Sequence, residues 1–356
     1  MANPNDRRSN HRDVGFNTIH HSAVGKRRKT ATRQKYTLFA VIALLALMIA
    51  VLLVMAIGGI IANVSGDNPG QDKPPVTPSG KDKIVWASAP MDTAHTQEGP
   101  LVLVGASHPY KEPSTNSHLA QINDMRMTHN PRIYASAGLS AYMEKNALKA
   151  LDTLLVDFHA ATGKDNVVLR YAYISSADLQ KNNPAFVAGT SDYNTGYGCE
   201  LAYMQDGKTY QFSADSTYAW ISENCHKYGI IIRYPAEKSE ITGVKDEDAY
   251  YRYVGVAHAT YMKGQNICLE EYITLLKDYT PEKPLKIAGA DGNTYEVYYV
   301  AVNGSTSVKV PTNYAYTVSG TNEGGVVITV NRSQPASPSE SESETDTGTS
   351  AGTTAP

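Results

Sequence analysis

The stretch that decides the fold runs from Trp220 to Pro235 and reads WISENCHKYGIIIRYP. Its first part belongs to a helix predicted over residues 216–228, and Gly229 is a typical residue for ending that helix. Its second part, Ile230 to Tyr234, is a short apolar run that predicts a buried strand. A helix followed directly by a buried strand is a first indication of an α+β fold.

The segments on either side extend this pattern. Residues 141–161 predict a helix because apolar side chains recur at steps of three and four, namely Leu148, Leu151, Leu155 and Phe158. Gly163 is a plausible stop for it. Asp206-Gly207 lies between two short strand patterns and is a strong hairpin signal. Other strands are predicted at 101–104, 167–173 and 251–254, a helix at 269–278, and, after Pro284, strands at 295–302, 308–310, 314–319 and 326–330.

The two ends of the chain differ in composition from this middle part. Residues 1–35 carry nine basic and two acidic side chains, and residues 63–97 are predicted as an extracytoplasmic linker because of their polar Pro/Gly-rich stretch. Residues 332–356 are mainly Ser, Thr, Glu, Pro and Gly, which predicts a disordered tail. We therefore predict a folded domain over 98–278 and a small β appendage over 284–331.

A run of 25 residues without charge, from Leu38 to Ala62, separates the basic end from the linker. At about 1.5 Å per residue it can span a hydrocarbon core of roughly 30 Å, so residues 36–62 are predicted to form a transmembrane helix. The basic cluster before it predicts a cytoplasmic N-terminus and an extracytoplasmic domain, in a single-pass protein of the cell membrane. The alternative is a cleaved signal peptide, whose apolar region is typically only about 7–15 residues long.

Composition excludes several classes of function. The chain has 356 residues with 32 basic and 35 acidic side chains, a net charge of −3, which argues against a nucleic-acid binder. Three cysteines are too few for a disulfide-stapled miniprotein or a four-cysteine zinc module. The chain has 24 tyrosines and 5 phenylalanines. This ratio favours partly solvent-exposed surfaces and grooves, because a tyrosine ring can be buried while its hydroxyl finds a polar partner.

Several short segments resemble, in order and spacing, the VanY-type D-alanyl-D-alanine carboxypeptidases. They are Trp220 to Pro235, Ile241-Thr-Gly243, Arg252-Tyr-Val-Gly255 with His258-Ala259, and Leu269-Glu-Glu-Tyr-Ile273, while Gly189 to Gly196 stands where the family carries its first metal motif. The resemblance implies a small antiparallel sheet flanked by helices, with a cleft over the sheet. It also implies zinc hydrolysis of the D-Ala-D-Ala end of peptidoglycan stem peptides, with two His and one Asp as ligands and a Glu as general base.

The first metal motif is only partly present. Ser191 and the turn residues Thr195 and Gly196 match the family, but Tyr193 stands at the first His position and Glu200 at the Asp position. A phenol has a pKa near 10 and must ionise before it binds a metal, so it is a poor replacement for imidazole. Glutamate keeps an oxygen ligand but moves it by one methylene group.

The second motif and the substrate-binding motif have changed as well. Glu247 keeps the position of the general base, but Tyr250 stands at the second His position. Where the family has Tyr-Arg-Ser, with an Arg that reaches the substrate carboxylate, this chain has Tyr173-Ile174-Ser175, and Arg170 is four residues upstream. One carboxylate and two phenols fall short of the three or four ligands that zinc needs, so we expect no metal and no cofactor, although active relatives use zinc.

The remaining histidines and cysteines offer no local replacement for these ligands. His226 and His258 stand at positions where the family often has a structural His. Cys225 and Cys268 are expected to be buried free thiols. Cys199 lies beside the former metal motif but has no His near it in the sequence to activate it as a nucleophile.

Three hypotheses for the function follow. The preferred one is a membrane-anchored, extracytoplasmic pseudoenzyme of the bacterial cell envelope that binds peptidoglycan stem peptide or regulates a wall enzyme. Its partners would include the cytoplasmic membrane but no nucleic acid, and its cleft would be lined by Tyr173, Ser175, Ser191, Thr195 and Tyr197. The alternatives are an active D-alanyl-D-alanine carboxypeptidase with rearranged ligands that keeps Glu247 as base, and a structural, partner-binding envelope protein.

Overall fold

The computed structural model describes residues 83–128, 132–136, 138, 141–213, 216–245 and 247–336. The basic end 1–35, the apolar segment 36–62, most of the linker and residues 337–356 of the tail lie outside the described residues. In the described part, no helix is both long and apolar enough to cross a membrane, and the longest, Lys145–Thr162, has charged side chains on its exposed face. This finding contradicts the prediction of a single-pass protein of the cell membrane.

The strands and helices are numbered in chain order. The strands are β1 Trp86–Met91, β2 Leu119–Gln121, β3 Tyr134–Ser136, β4 Tyr142–Glu144, β5 Val167–Tyr171, β6 Gly198–Gln205, β7 Lys208–Tyr210, β8 Ile230–Tyr234, β9 Glu247–Tyr253, β10 Leu285–Ala288, β11 Thr294–Ala301, β12 Thr306–Pro311, β13 Tyr314–Gly320 and β14 Gly325–Pro335. The α-helices are α1 Ile122–Arg126, α2 Lys145–Thr162, α3 Ser176–Asn182, α4 Ala219–Asn224, α5 Ser239–Thr242, α6 Val256–Gln265 and α7 Leu269–Leu276. Short 3₁₀ helices cover Thr93–Gln97, Asp192–Thr195, Cys225–Tyr228 and Ala236–Lys238.

The main sheet has the strand order β3-β5-β6-β9-β8, with β7 added to β6. Helix α2 buries its apolar face against this sheet, and Leu148, Leu151, Leu155 and Phe158 are all in the core, as their spacing predicts. The predicted α+β class is therefore confirmed. The expectation of a purely antiparallel sheet is wrong, because β3 and β5 pair in parallel.

Several local predictions agree with the structure and some do not. The hairpin at Asp206-Gly207 joins β6 to β7, and Gly163 ends α2 in the left-handed conformation. The helix predicted from residue 141 begins only at Lys145, because residues 142–144 pair with β2 instead. Residues 101–104 are buried but form no strand, although Leu103 donates a backbone hydrogen bond to the Thr321 carbonyl at 3.1 Å.

A second sheet follows the main one in sequence, with the order β10-β11-β14-β13. Its core is continuous with the rest of the molecule, since Leu103, Ile231 and Val254 lie in one buried cluster with Val297 and Val327. Strand β1, which comes before the main sheet, pairs along its length with β12. The sequence predicts a separable β appendage, whereas this shared core favours cooperative folding of the two parts.

Candidate functional site

The first motif folds into a 3₁₀ helix, Asp192–Thr195, that lies between β5 and the start of β6 in the sequence. The side chain of Ser191 caps this helix by accepting the backbone N–H of Tyr193 at 3.4 Å. Gly196 ends it with a φ of 74°, a conformation that favours glycine. Two of the three motif residues that match the family, Ser191 and Gly196, therefore shape the turn.

The structure brings together the three side chains that the resemblance places at the family's metal-ligand positions. The rings of Tyr193 and Tyr250 meet edge to face, with centroids 4.8 Å apart. Glu200 on β6 stands opposite Tyr250 on β9 in the strand register, and the Tyr193 hydroxyl donates to Glu200 Oε2 at 3.3 Å. The cluster of Tyr193, Glu200 and Tyr250, called the tyrosine site below, is therefore a compact group of two phenols and one carboxylate.

A guanidinium group neutralises the carboxylate of the tyrosine site. Arg170 on β5 forms an ion pair with Glu200 on the neighbouring β6, and its guanidinium also lies 5.3 Å from the ring centre of Tyr171. The sequence did not predict this pair, although opposite charges on two consecutive strands were a signal that could have suggested it. The remaining carboxylate among the metal positions is thus already balanced by a protein cation.

Tyr250 is fixed inside the protein. Its side chain is 2 % exposed, and its hydroxyl donates to Asp192 Oδ2 at 3.1 Å. Gly198 on the adjacent strand makes room for it, because a Cβ there would lie 2.1 Å from the Tyr250 hydroxyl. Burial, followed by the nearby charge of Asp192, raises the pKa of Tyr250 well above its usual value, so the phenol stays protonated.

A buried ionic network lies behind the tyrosine site. Asp192 accepts from the Arg252 guanidinium and lies 3.8 Å from Arg233 Nε, and both arginine side chains are at most 1 % exposed. Arg233 also makes a two-pronged contact with Glu270 on α7, at 3.0 and 2.7 Å. The second guanidinium nitrogen of Arg252 donates to the carbonyls of Pro100 and Val102. This network, which the sequence does not predict, ties the 3₁₀ helix to β8, β9 and α7.

The donor set of the tyrosine site does not fit zinc. A zinc site needs three or four donors such as neutral imidazole, thiolate or free carboxylate. Here two positions are phenols, one of them held protonated, and the carboxylate is engaged by Arg170. No group of three or more His, Cys, Asp or Glu side chains with a metal-binding arrangement occurs among the residues that the structure describes. Glu247 begins β9, and its side chain is not among those described.

Two of the predicted cleft residues are engaged by the chain itself. The Tyr173 hydroxyl donates to Glu112 Oε2 at 3.0 Å, and the backbone N–H of Ser176 donates to the other oxygen of Glu112 at 2.9 Å. Ser175 caps α3 by accepting the backbone N–H of Asp178 at 3.1 Å. A carboxylate therefore lies beside the segment in which the family's substrate-binding Arg is expected. No motif in the sequence points to Glu112.

The other predicted cleft residues have structural roles here. Thr195 is 1 % exposed, and its hydroxyl donates to the Asp192 carbonyl at 2.8 Å. The centre of the Tyr197 ring lies 5.5 Å from the guanidinium of Arg252. Ser191 caps the 3₁₀ helix, as described above. Exposed aromatic surface at the site comes instead from Tyr171, which is 46 % exposed and touches Tyr193 edge to face at 6.2 Å.

The cysteines and buried histidine add no catalytic group. All three cysteines are free and buried. Burial raises the pKa of the Cys225 and Cys268 thiols to about 12, and also raises the pKa of Cys199, so none of these thiols is an activated nucleophile. His258 is 4 % exposed and is held between Tyr272 and Thr329, which confirms its expected place in the scaffold.

Comparisons with known proteins agree with the resemblance seen in the sequence. The VanY family, described as D-alanyl-D-alanine carboxypeptidase, matches residues 141–256. A D-alanyl-D-alanine carboxypeptidase of Enterococcus faecium is 31% identical over 248 residues, which cover 65% of this chain and 75% of the relative. The fold is similar to that of the D,D-dipeptidase VanXYg, solved in complex with a D-Ala-D-Ala phosphinate analogue, with a TM-score of 0.60 and 22% identity over 69% of this chain and 99% of that one.

A further solved structure is a vancomycin-resistance D,D-pentapeptidase VanY in complex with Zn(II). It is 25% identical, with a TM-score of 0.38, over 49% of this chain and 98% of that chain. The relative from Enterococcus faecium exceeds 30% identity over three quarters of its own length, which is sufficient to assign the family.

Proposed function

Because the chain belongs to the VanY family of D-alanyl-D-alanine carboxypeptidases, we propose that it binds peptidoglycan stem peptides at the tyrosine site without hydrolysing them. The observation that carries this proposal is the ion pair between Arg170 and Glu200. Because the Arg170 guanidinium already compensates the charge of Glu200, this carboxylate is a poor ligand for a metal ion. With phenols at both His positions, the site lacks the donors that would hold a zinc-bound water.

The choice of ligand rests on the family and on the exposed surface of the site. The relative VanXYg was solved with a D-Ala-D-Ala phosphinate analogue. In this chain the half-exposed ring of Tyr171 and the adjoining ring of Tyr193 offer an apolar surface for the methyl groups of a D-Ala-D-Ala end. Ile174 stands where the family has the Arg that binds the substrate carboxylate, so we expect weaker peptide binding than in an active relative.

The first experiment measures metal and activity in the full-length chain. We expect no stoichiometric zinc after purification in zinc-containing buffer, and no release of D-Ala from a pentapeptide ending in D-Ala-D-Ala. One equivalent of zinc together with metal-dependent D-Ala release would contradict the proposal. That result would favour the other candidate, an active carboxypeptidase with rearranged ligands, which the names of the relatives support.

The second experiment restores the ligands. The triple variant Tyr193→His, Glu200→Asp, Tyr250→His returns three family ligands, and a fourth change, Arg170→Ala, removes the competing guanidinium. We expect the fourfold variant to bind zinc more tightly than the triple variant, because Arg170 no longer engages the carboxylate. Equal zinc affinity in the two variants would show that the ion pair does not oppose metal binding.

The third experiment tests the ligand directly. NMR titration of the full-length chain with the same pentapeptide should give saturable shifts, and Tyr171→Ala should weaken binding by about tenfold. Tyr210→Ala is the matched control, since Tyr210 lies on β7 of the same sheet and is 41 % exposed. Absence of binding, or equal loss in both variants, would contradict a stem-peptide site here.

A further inference from the structure

A groove with a volume of about 440 Å³ lies between the end of the main sheet and the face of the second sheet. Its lining includes Tyr197 and Tyr253, together with Tyr295 and Asn331 of the second sheet. Tyr295 on β11, Asn331 on β14 and Ala315 on β13 are neighbours in one register row of the second sheet. The residues of the tyrosine site do not line this groove, so it is a separate place on the molecule.

The groove is almost free of charge. Among the described residues that line it, the one acidic side chain is that of Glu144. Apart from the tyrosines, the one further titratable side chain is that of His258. The Glu144 carboxylate caps α2 by accepting the backbone N–H groups of Asn146 and Ala147 at 2.8 and 3.0 Å. Both ring nitrogens of His258 are hydrogen-bonded, and burial lowers its pKa to about 3, so it is neutral at neutral pH. No lining lysine or arginine offers a partner for an anionic ligand.

The groove presents polar groups that the protein does not use. The hydroxyls of Tyr197 and Tyr253 have no hydrogen-bond partner within the part of the chain that the structure describes. The Tyr295 ring, by contrast, is held in place by a hydrogen bond from its hydroxyl to Asp291 at 2.5 Å. The side-chain amides of Asn331 and Gln334 add donors and acceptors at the groove wall.

This combination selects one chemical class of ligand. Aromatic rings pack against apolar C–H surface, while hydroxyl and amide groups satisfy neutral donors and acceptors. A saccharide has both features, since its rings have apolar faces edged by uncharged hydroxyl and acetamido groups. The volume also falls within the range of about 300–1,000 Å³ that is usual for ligand pockets.

We propose that this groove binds an uncharged saccharide of the N-acetylated hexosamine class. The proposal does not depend on stem-peptide binding at the tyrosine site, because different residues form the two places. Tyr197 and Tyr253 would donate their free hydroxyls to the ligand, and the ring of Tyr295 would pack against a sugar face. The neutral lining disfavours charged polysaccharides and the acidic residues 337–356 of this chain as occupants.

The test titrates the full-length chain with the N-acetylglucosamine tetrasaccharide and follows binding by calorimetry and NMR. We expect saturable binding with a Kd of about 1 mM or tighter. Tyr197→Phe and Tyr253→Phe should each weaken it by about 3- to 10-fold, the effect of one hydrogen bond, without lowering the melting temperature, since neither hydroxyl has a described protein partner. Tyr210→Phe, outside the groove, should change nothing.

A second pair of variants blocks the groove. Ala315→Trp places a large ring on the wall beside Asn331 and should abolish binding, whereas Ser307→Trp adds the same ring at an exposed position of β12 outside the groove and should leave it intact. Three results would overturn the proposal: no saturable binding, unchanged affinity in both Tyr→Phe variants, or preferential binding of a sulfated saccharide. Binding of the tetrasaccharide that appears only after removal of residues 337–356 would assign the groove to that segment instead.

Discussion

At the scale of single residues, Arg170 is the residue on which the proposed loss of the metal ion depends. Its ion pair with Glu200 is half-buried, with side chains 34% and 16% exposed. The same carboxylate also accepts the Tyr193 hydroxyl. The pair links β5 to β6, and under the proposed function a metal ion would have to displace the guanidinium in order to reach the carboxylate.

The first prediction concerns this pair. Arg170→Ala should lower the free energy of unfolding by about 1–2 kcal/mol, between the values for exposed and buried ion pairs. Glu200→Gln should have a smaller effect, and the double variant should cost less than the two single changes added together. Chemical denaturation of the four proteins checks this, and strictly additive effects would show that the two side chains are not coupled.

The second prediction concerns Asp192. Asp192→Asn removes the carboxylate that faces Arg252 and Arg233, and Arg252 then has only carbonyl partners in the described residues. Leaving a buried charge without its counter-charge costs about 3–5 kcal/mol, so the midpoint of urea unfolding should move to a clearly lower urea concentration. Glu282→Gln breaks the exposed pair with Lys309 and serves as the control, for which no measurable shift is expected. Equal shifts in both variants would contradict a structural role specific to Asp192.

At the scale of elements, His258 joins three of them. It lies on α6, contacts the Tyr272 hydroxyl on α7 at 2.8 Å, and contacts the Thr329 hydroxyl on β14 at 2.9 Å. Both partners are neutral, so nothing compensates a charge on the ring. Burial therefore lowers the pKa of His258 from 6.5 to about 3.

The third prediction follows from this pKa. Between pH 6.5 and about 3 the unfolded chain binds a proton at His258 that the folded chain does not bind. The free energy of unfolding therefore falls as the pH is lowered through this window, by up to about 1.4 kcal/mol per pH unit. Denaturant unfolding of the wild-type protein and His258→Asn at several pH values checks it.

The control for this prediction is His95→Gln, since the His95 side chain is 45% exposed. We expect the His258→Asn protein to have a shallower dependence on pH than the wild type, and the His95→Gln protein to follow the wild type. The same slope in all three proteins would mean that His258 is protonated without cost in the folded state.

At the scale of the whole molecule, the two sheets share one buried core. Leu103, Ile231 and Val254 share a buried cluster with Val297 on β11, and β1 pairs with β12. Cutting the chain before β10 would expose this apolar surface to water. We therefore expect a chain that lacks residues 284–336 to aggregate rather than to fold, in contrast to what its hairpin pattern alone predicts.

The fourth prediction tests this cooperativity in the intact chain. Calorimetry should show one unfolding transition for the described part of the molecule, with equal calorimetric and van't Hoff enthalpies. Val297→Ala should lower the stability by about 2 kcal/mol without splitting the transition. Val187→Ala, at a side chain that is 65 % exposed, should have no effect. Two resolved transitions would instead support an independent β appendage.

Much of the local structure could be predicted from the sequence. The apolar spacing on α2, the stop at Gly163 and the hairpin at Asp206-Gly207 are properties of neighbouring residues, so they can be read from short stretches of sequence. The start of α2 could not be predicted in this way. Residues 142–144 extend to pair with β2, and tertiary pairing outweighs helix preference there.

For the candidate site, too, some features can be read from the sequence and others only from the structure. The sequence by itself predicts that Tyr193, Glu200 and Tyr250 stand at the family's ligand positions, because a residue type at a motif position is visible without a structure. The family was also recognisable from the order and spacing of its motifs, and the comparisons confirm it.

Only the tertiary structure decided what these residues do. Arg170 and Glu200 are 30 positions apart in the sequence, and Asp192 and Arg252 are 60 apart. The residues that join the second sheet to the main core are also far apart in the chain. Such contacts depend on strand order and on the packing of distant elements, which leave no periodic signal in the chain. The sequence therefore determines which groups are available, whereas the fold determines which charges meet and which hydroxyls remain free for a ligand.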